Sequence, residues 1–388
     1  MGNDSGDVSA TSRALADEAL DTRRGKQVIG VVGRCLFAVV VGLVLIVSGC
    51  TTTPSTSPPP PAAPPPSNEV GPLPADCADR ITESDQASAA LARVRPGSTV
   101  CLSGDGFTDA ELEVTTSGTR QQPITIIADG ATMRSMNVEA DYVGIQGLTL
   151  RDGDGLTMTG RGLVARDNVI YNAAKDGLVC RGCIDTIIES NTVQRADGTG
   201  IYLAGQRIMV RNNTVSESVL RTQDDADGIR FFGVGHRLIG NTIKDIKASG
   251  YGDEGPHTDC FQTYNNGQGP PTYDVVIANN ICTNVDVQCL IATIDDRGDR
   301  GAPGGPTTII FEGNTCAVNG SQAVLLRNFS DVVVRGNSFS GPGDRAVQLT
   351  GASNGVAVID NTMTGQMRPF EIDRQSEPGF RESGNTSR

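Results

Sequence analysis

Two acidic segments of this 388-residue chain carry the residue types best suited to proton-transfer chemistry. The first segment holds Asp225, Asp227 and Arg230, and the second holds His257 and Asp259. Carboxylates and an imidazole can give or take protons, whereas a guanidinium can neutralise an anionic group of a substrate. We therefore predict that Asp227, Arg230, His257 and Asp259 are catalytic.

The carboxylates are also a candidate cation site. Ca²⁺ takes carboxylate oxygens as ligands, and Asp225, Asp227 and Asp259 could supply them. A bound cation would let a chain of net charge −13 hold an acidic substrate. The same negative charge makes nucleic acid an unfavourable partner. The cysteines lack the neighbouring histidines of a zinc finger.

A repeated asparagine indicates the elements that position these residues. It is followed each time by β-branched or apolar residues, and successive copies are 23, 22, 28, 39, 34, 23 and 24 residues apart. A period in the low twenties, rich in Val, Ile and Thr, predicts a solenoid of strands. We expect the amides to bond each other from coil to coil and to occupy left-handed corners, which asparagine tolerates. The repeated residues are Asn168, Asn191, Asn213, Asn241, Asn280, Asn314, Asn337 and Asn361.

The three longest steps, of 28, 39 and 34 residues, contain both acidic segments. Insertions in a repeat protein map to loops on one face, which is often the binding face. A second register, in which a polar and a small residue precede a strand, stacks Asp227 on Asp259 and Arg230 on Gln262. Asp154 holds the same register on a coil without an insertion, so an alternative is that Asp227 and Asp259 only cap turns.

The first 75 residues differ in composition from the rest of the chain. Basic residues precede an apolar run from Cys35 to Val47, which has the length of a signal-peptide core and is short for a membrane span. The run ends in Val47-Ser48-Gly49-Cys50, which resembles a bacterial lipobox and implies lipid attachment to Cys50. We expect an exported protein that is lipid-anchored to the outer face of the cell membrane. The predicted parts are a signal peptide (1–49), a Pro/Thr/Ser-rich linker (50–75), a solenoid domain (76–370) and a polar C-terminal tail (371–388).

Ten cysteines in an exported chain predict disulfides. Cys35 leaves with the signal peptide and Cys50 takes lipid, so an even number of eight remains. Residues that share a register on neighbouring coils are about 4.8 Å apart, which is within the Cα range of a disulfide. The predicted pairs are Cys260–Cys289, Cys282–Cys316, Cys77–Cys101 and Cys180–Cys183.

The domain resembles the right-handed parallel β-helix superfamily, which has the pectate-lyase-like fold. Thr82-Glu83-Ser84-Asp85 has the form of a capping box that opens a short helix, and Pro96-Gly97 stops it. Gln122-Pro123-Ile124-Thr125-Ile126 resembles the strand that begins the coil in this superfamily. The resemblance covers residues 77–365. It implies an all-β right-handed parallel β-helix with an N-terminal capping helix, and a polysaccharide as partner.

With a polysaccharide as partner, the outward side chains of the long coils are predicted to line a groove. Strand alternation places aromatic rings outward, where a sugar ring could stack on them. His236 matches a turn position on the previous coil, and we expect it to be exposed. The predicted substrate-binding residues are Phe232, Gln262, Tyr264, Asp295, Asp296 and Arg297.

Two reactions fit the candidate residues. A polysaccharide lyase removes the proton α to a uronate carboxylate, with Arg230, Lys244 or His257 as the base and a cation or arginine neutralising the carboxylate. A glycoside hydrolase needs two carboxylates that flank the scissile bond. One would come from the stacked register and one from elsewhere, such as Asp225 or Asp295.

Several motifs of the superfamily's enzymes are absent from the sequence. We find neither the Asn-Thr-Asp and Gly-His-Gly signatures of polygalacturonase-like β-helices nor the arginine-centred motifs of pectate lyases. The resemblance therefore assigns no active site residue by residue. Our interpretation is a monomeric polysaccharide lyase that acts on a uronate-containing glycan outside the cytoplasm. The alternatives are a glycoside hydrolase with paired Asp residues, and a non-catalytic glycan-binding or structural lipoprotein.

Overall fold

The structure is a computed structural model, and it describes residues 80–222, 225–251, 255–265, 271–294 and 308–388. Within these ranges the chain forms a short helix, Ser84–Leu91, and many short strands that pair in parallel. The predicted signal peptide, the linker and Cys50 lie outside the described residues. Among the described residues, no helix is long and apolar enough to cross a membrane.

Among the described residues the strands form one parallel sheet of 13 strands and one of 20 strands. The larger sheet consists of two rows joined through two long strands, so we distinguish sheets 1, 2 and 3 in the order that the chain visits them in each coil. Sheet 1 contains Arg80–Glu83, Thr99–Gly106, Ile124–Asp129, Val143–Gln146, Val164–Arg166, Ile187–Glu189, Met209–Arg211, Arg237–Ile239, Val275–Ala278, Ile309–Glu312, Val332–Arg335, Ala357–Ile359 and Arg381–Ser383. Thr132–Glu139 and Thr149–Thr159 pass from sheet 2 into sheet 3. Sheet 2 also contains Val169–Tyr171, Thr192–Gln194, Thr214–Ser216, Thr242–Lys244, Ile281–Val285, Thr315–Val318, Ser338–Ser340, Thr362–Met363 and Thr386–Ser387. Sheet 3 also contains Glu111–Val114, Leu178–Ile184, Ile201–Gln206, Ile229–Val234, Asp259–Asn265, Gln288–Ile294, Gln322–Arg327, Arg345–Thr350 and Arg368–Ile372.

The interior of the coil is filled by apolar side chains that repeat in register. On sheet 1, Ile188, Val210 and Leu238 stack on successive coils and are fully buried. On sheet 3, Ile229 and Phe261 stack in the same way. Removing apolar surface from water contributes about 25 cal/mol per Å². These stacked rows are therefore the main source of stability.

The predicted asparagine ladder is formed. Asn213 donates from Nδ2 to Asn241 Oδ1 at 3.0 Å and to the carbonyl of Ile188 at 2.9 Å. Its own Oδ1 accepts from both the side chain and the backbone N–H of Asn191, each at 2.9 Å. The same pattern extends to Asn385, one coil beyond the predicted copies. Each buried side-chain amide thus forms hydrogen bonds with the coil before it and with the coil after it.

The backbone at these corners differs from the prediction. The left-handed residue is the one that precedes the ladder asparagine, as at Asp167 (φ 54°), Ser190 (φ 56°) and Asn212 (φ 56°). Glycine takes this position before Asn241, at Gly240 (φ 68°). The ladder asparagine is therefore selected by its two hydrogen-bonding groups, whereas the turn itself is made by its neighbour.

Both ends of the domain depart from the predicted boundaries or contacts. The helix buries Ala87 and Leu91 against the first strands, but its N-cap residue Glu83 makes no side-chain capping bond, so the predicted capping box is not formed. At the other end, sheets 1 and 2 continue through Arg381–Ser383 and Thr386–Ser387. The coil therefore extends past residue 370 into the segment predicted to be a polar tail.

Two of the predicted disulfide pairs are wrong. Cys260 bonds Cys282 and Cys289 bonds Cys316, in place of Cys260–Cys289 and Cys282–Cys316. The predicted pair Cys180–Cys183 is confirmed. Cys101 is disulfide-bonded, and its predicted partner Cys77 lies outside the described residues.

The geometry of parallel strands explains the different pairing. Cys282 and Cys316 do share a register, but side chains in register on parallel strands point the same way. They stay about 4.8 Å apart, whereas the Cβ atoms of a disulfide are about 3.8 Å apart. Cys260 on sheet 3 instead bonds Cys282 on sheet 2 of the next coil, with Cα atoms 6.2 Å apart. Each bond thus joins sheet 3 of one coil to sheet 2 of the following coil.

Peptide mapping under non-reducing conditions checks this pairing. We expect linked peptides that contain Cys260 with Cys282 and Cys289 with Cys316. Each bond closes a loop of more than twenty residues. Removing one pair by double alanine substitution should therefore lower the free energy of unfolding by about 3 kcal/mol. Recovery of Cys260 linked to Cys289 would contradict the structure.

The asparagine ladder leads to a second prediction about stability. Asn213→Ala removes two donors and an acceptor that serve buried groups, so we expect a loss of about 2–4 kcal/mol in the free energy of unfolding. The matched control is Asn137→Ala, because Asn137 bonds only exposed carboxylates. Chemical denaturation of both variants measures the difference. Equal losses would show that the ladder does not stabilise the coil.

Candidate functional site

The outer face of sheet 3 carries a row of aromatic side chains across three successive coils. The rings of Tyr202 and Phe232 lie 5.6 Å apart between centroids, and those of Phe232 and Tyr264 lie 5.0 Å apart in an edge-on arrangement. We name Tyr202, Phe232 and Tyr264 the aromatic strip. Tyr202 and Tyr264 are partly exposed, whereas Phe232 is only 6% exposed between them.

Two arginines border the aromatic strip. The guanidinium carbon of Arg181 lies 4.5 Å from the Tyr202 ring centroid, and that of Arg230 lies 5.9 Å from the Tyr264 centroid. Arg230 shares a register with Tyr202 on one side and Gln262 on the other. The predicted stacking of Arg230 on Gln262 is therefore confirmed.

Arg230 is held by two carboxylates. Its Nη2 atom donates to Asp225 Oδ2 at 2.9 Å and to Asp227 Oδ2 at 2.5 Å, while Nε donates to Asp227 at 3.2 Å. Burial would lower the pKa of Arg230, but the charges and hydrogen bonds of Asp227 and Asp225 raise it above its ordinary value. Arg230 is thus a fixed cation and is poorly suited to accept a proton.

A second ladder, made of carboxylates, runs along the corner before sheet 3. Asp227 Oδ1 accepts the backbone N–H of Asp259 at 3.0 Å. Asp259 Oδ1 in turn accepts the backbone N–H of Gln288 at 2.9 Å. On an earlier coil, Asp176 accepts the backbone N–H of Thr199 at 2.7 Å. One oxygen of each carboxylate therefore connects coils.

The carboxylates of this ladder are hard to ionise. Burial raises the pKa of Asp227 to about 6, with repulsion from Asp225 adding to the effect and Arg230 opposing it. Burial and the neighbouring charge of Asp227 raise the pKa of Asp259 well above its usual range. Gln262 donates to Asp259 Oδ2 only at 3.5 Å. This long contact does little to offset the effect of burial on the pKa of Asp259.

The structure brings together some of the predicted catalytic residues and separates others. Asp225, Asp227 and Arg230 form one hydrogen-bonded group, but Asp227 and Asp259 are fully buried. His257 is exposed, and within the described residues no hydrogen bond or ion pair joins its imidazole to this group. Its carbonyl accepts the N–H of Ala226 at 3.0 Å, which places His257 on the rim, one coil from Asp225.

The remaining predicted residues differ in position. Phe232 and Tyr264 lie on the predicted outer face, and Gln262 lies there but is only 6% exposed. Lys244 belongs to sheet 2 and is not part of this face. The other predicted substrate-binding residues, Asp295, Asp296 and Arg297, lie outside the described residues.

The carboxylate cluster fits a metal poorly. The Arg230 guanidinium bonds both Asp225 and Asp227 and already supplies the positive charge there. Among the described residues, the three predicted ligands Asp225, Asp227 and Asp259 do not gather within coordinating distance of one another. The close sulfur atoms of Cys260, Cys282 and Cys289 belong to disulfides and are not thiolate ligands.

Sequence reasoning missed two members of this face and misplaced a histidine. Arg181 and Tyr202 belong to the face, and the register of Arg230 and Phe232, extended to earlier coils, would have found them. His236, expected to be exposed, is fully buried: it accepts the N–H of Ile208 and bonds the carbonyl of Phe232 at 2.9 Å. Burial lowers the pKa of His236 to about 4, so the ring is a neutral structural element.

Comparison with known proteins agrees with this architecture. The family model for the right handed beta helix region matches residues 154–301. The tailspike protein of E. coli bacteriophage HK620, solved with a pentasaccharide, is 11% identical with a TM-score of 0.56, covering 79% of this chain and 63% of the tailspike. An alginate lyase from Paenibacillus sp. str. FPU-7 is 16% identical with a TM-score of 0.47, covering 79% of this chain and 98% of the lyase.

A mannuronic acid specific polysaccharide family 6 lyase from human gut microbiota is also similar, at 14% identity and a TM-score of 0.47 over 78% of this chain and 85% of the lyase. No curated protein sequence matches the chain. Identities this low show a fold and not an activity. The described residues form a right-handed parallel β-helix, as the sequence pattern predicts.

The raised pKa of Asp259 makes a pH-dependent prediction. An acid whose pKa is raised on folding contributes stability below its unfolded pKa, near pH 4, and loses it as pH rises through the folded value. Asp259→Asn keeps an oxygen for the Gln288 N–H but cannot ionise. We expect this variant to gain stability over the wild type as pH rises, by up to about 1.4 kcal/mol per pH unit.

Thermal unfolding from about pH 4 to pH 8 measures this difference. Asp105→Asn, at an exposed position on sheet 1, is the control and should follow the wild type at every pH. A difference in stability between Asp259→Asn and the wild type that stays the same throughout the range would show that folding does not raise the pKa of Asp259.

Proposed function

We propose that the protein binds and cleaves a polysaccharide on the outer face of sheet 3. The observation that carries this proposal is the aromatic strip with an arginine at each side. The partly exposed rings of Tyr202 and Tyr264, with Phe232 packed between them, offer apolar surfaces on which sugar rings can stack. The three rings come from three successive coils, so the glycan would lie across the strands.

The reaction that these groups support best is β-elimination on a uronate-containing chain. An arginine neutralises the uronate carboxylate and so acidifies the α proton. His257, exposed on the rim, is then the base that takes this proton as the bond to the neighbouring sugar breaks. Burial raises the pKa of Tyr202, so its hydroxyl stays protonated and can donate to the departing oxygen.

The buried residues have supporting roles in this proposal. Asp225 and Asp227 hold the guanidinium of Arg230 in place, and these hydrogen bonds make Arg230 unsuited to act as the base. Asp259 accepts the backbone N–H of Gln288 and so links its own coil to the next one. In this proposal the reaction does not depend on the Ca²⁺ suggested by the sequence, because Arg230 already neutralises Asp225 and Asp227, two of the three acids expected to bind it.

A glycoside hydrolase is the second candidate, favoured by one observation. Asp176 is partly exposed at the same face, and burial raises its pKa while Arg230 and Arg181 oppose the shift. A carboxylic acid that resists ionisation suits a general acid, and Asp225 could be its partner. Asp227 and Asp259 are less suited, because both are fully buried.

We also propose that the domain works outside the cytoplasm, held by lipid at Cys50. The disulfides of the coil support an oxidising compartment. Mass spectrometry of the N-terminal peptide from membrane fractions tests this. We expect a cysteine that carries acyl chains; an unmodified peptide in the soluble fraction would contradict it.

Incubation with uronate-containing and neutral polysaccharides, with and without a chelator, tests the reaction. We expect new reducing ends together with the ultraviolet absorbance of an unsaturated uronate, unaffected by the chelator. His257→Ala should lower the rate by about 100-fold or more, because it removes the base. The control Gln194→Ala, on the outer face of sheet 2, should keep the wild-type rate.

Each other outcome rejects part of the proposal. Reducing ends without absorbance would replace the lyase by the hydrolase, and loss of rate in chelator would establish a bound cation. Binding of glycan with no new ends on any substrate would show a non-catalytic glycan-binding protein. A full rate in His257→Ala would exclude His257 as the base.

A further inference from the structure

We propose that the Cys180–Cys183 disulfide fixes Arg181 as the residue that binds a carboxylate of the glycan and so selects an acidic sugar. This inference rests on the proposed function and names the specificity of that face. Four features of the strand Leu178–Ile184 carry it: the charge of Arg181, its stacking, a local bulge and the short disulfide.

The first feature is an available positive charge. Arg230 is 15% exposed and is bound by two carboxylates, so it has little capacity left for a ligand. Arg181 is exposed on the same face. Its charge acts on the nearby Asp176 carboxylate, but within the described part of the chain no ion pair closer than 4.0 Å joins Arg181 to an acid. Arg181 is thus the cation beside the aromatic strip that can still accept an anion.

The second feature is orientation. The guanidinium carbon of Arg181 lies 4.5 Å from the centroid of the Tyr202 ring. An arginine that stacks on an aromatic face can present the donors on its edge to a planar anion. A carboxylate matches two of these donors at once. Arg181 is level with Ala204 on the next coil, and Ala204 is level with Phe232 on the coil after that. The short side chain of Ala204 leaves room between the guanidinium and Phe232.

The third feature is a bulge that aims the side chain. The register between Leu178–Ile184 and its neighbour shifts between Arg181 and Cys183, so Gly182 is an extra residue. Gly182 has φ 67°, a left-handed conformation that glycine adopts without strain. Bulges of this kind redirect side chains at functional sites.

The fourth feature is the disulfide itself. Cys180 and Cys183 are fully buried with Cα atoms 5.6 Å apart, and between them they enclose only Arg181 and Gly182. A bond over so short a loop removes little entropy from the unfolded chain, so its effect on global stability is small compared with the two longer loops. Its effect is local: it anchors the bulge in the core. A residue ordered before binding loses less entropy when the ligand arrives.

Calorimetric binding of two matched ligands tests this inference. One ligand is a uronate oligosaccharide, and the other is the same oligosaccharide with its carboxylates reduced to alcohols. We expect Arg181→Gln to weaken binding of the acidic ligand by about 10- to 100-fold, the value of a charge-assisted hydrogen bond. Binding of the reduced ligand should not change, and Arg181→Lys should fall between.

The matched control is Arg151→Gln. Arg151 lies over the Tyr171 ring at 4.7 Å on sheet 2, so it is the same arginine–tyrosine stack on a different face. The Arg151→Gln variant should bind both ligands as tightly as the wild type does. The double variant Cys180→Ala/Cys183→Ala should weaken binding of the acidic ligand alone, with an unfolding temperature close to that of the wild type.

Different failures are distinguishable. If the wild type binds both ligands equally well, the glycan face stands and the selection of a carboxylate by Arg181 is wrong. If Arg181→Gln weakens both ligands equally, Arg181 only packs on Tyr202. If the wild type binds neither ligand, the inference and the proposed function both fail. Unchanged binding in the double cysteine variant would overturn the role of the disulfide.

Discussion

The structure depends on one constraint: each buried corner of the coil has a backbone N–H that needs an acceptor from the coil before it or after it. Unpaired buried amides are costly, so nearly all of them find a partner. At the corner before sheet 2, asparagine Oδ1 atoms are these acceptors. At the corner before sheet 3, the acceptors are carboxylates, as where Asp227 accepts the N–H of Asp259. Elsewhere His236 Nδ1 takes the same role for Ile208.

This constraint explains why the site has buried acids. A carboxylate that satisfies a backbone amide with one oxygen must still place the other, and in the long coils Asp227 directs its second oxygen to Arg230. That bond fixes Arg230 next to the aromatic strip and removes it as a base. The structural role of the acids and the chemistry of the face are therefore linked, because the ladder that holds the coils also sets the charge on their surface.

Much of the fold follows from the sequence because every coil repeats the same register. The spacing of the asparagines predicts the ladder, and the stacking of Arg230 on Gln262 is confirmed. The register predicts which residues lie side by side on neighbouring coils, but it does not predict the direction that a side chain takes at a corner. For that reason Asp227, Asp259 and His236 were expected near the surface and are buried. The pairing of Cys260 with Cys282 was missed for the same reason, since it joins two different sheets and not two residues that share a register. Arg181 and Tyr202 lie on two successive coils without insertions, and they were missed because long insertions were taken as the signal of a site.

We infer that the outer face of sheet 3 binds an acidic glycan along its aromatic strip. A crystal structure of the protein with a uronate oligosaccharide bound tests this inference most directly. We expect sugar rings against Tyr202 and Tyr264, with one carboxylate on the guanidinium of Arg181. An oligosaccharide bound on sheet 1 or sheet 2, or one on sheet 3 whose carboxylates all face solvent, would contradict it.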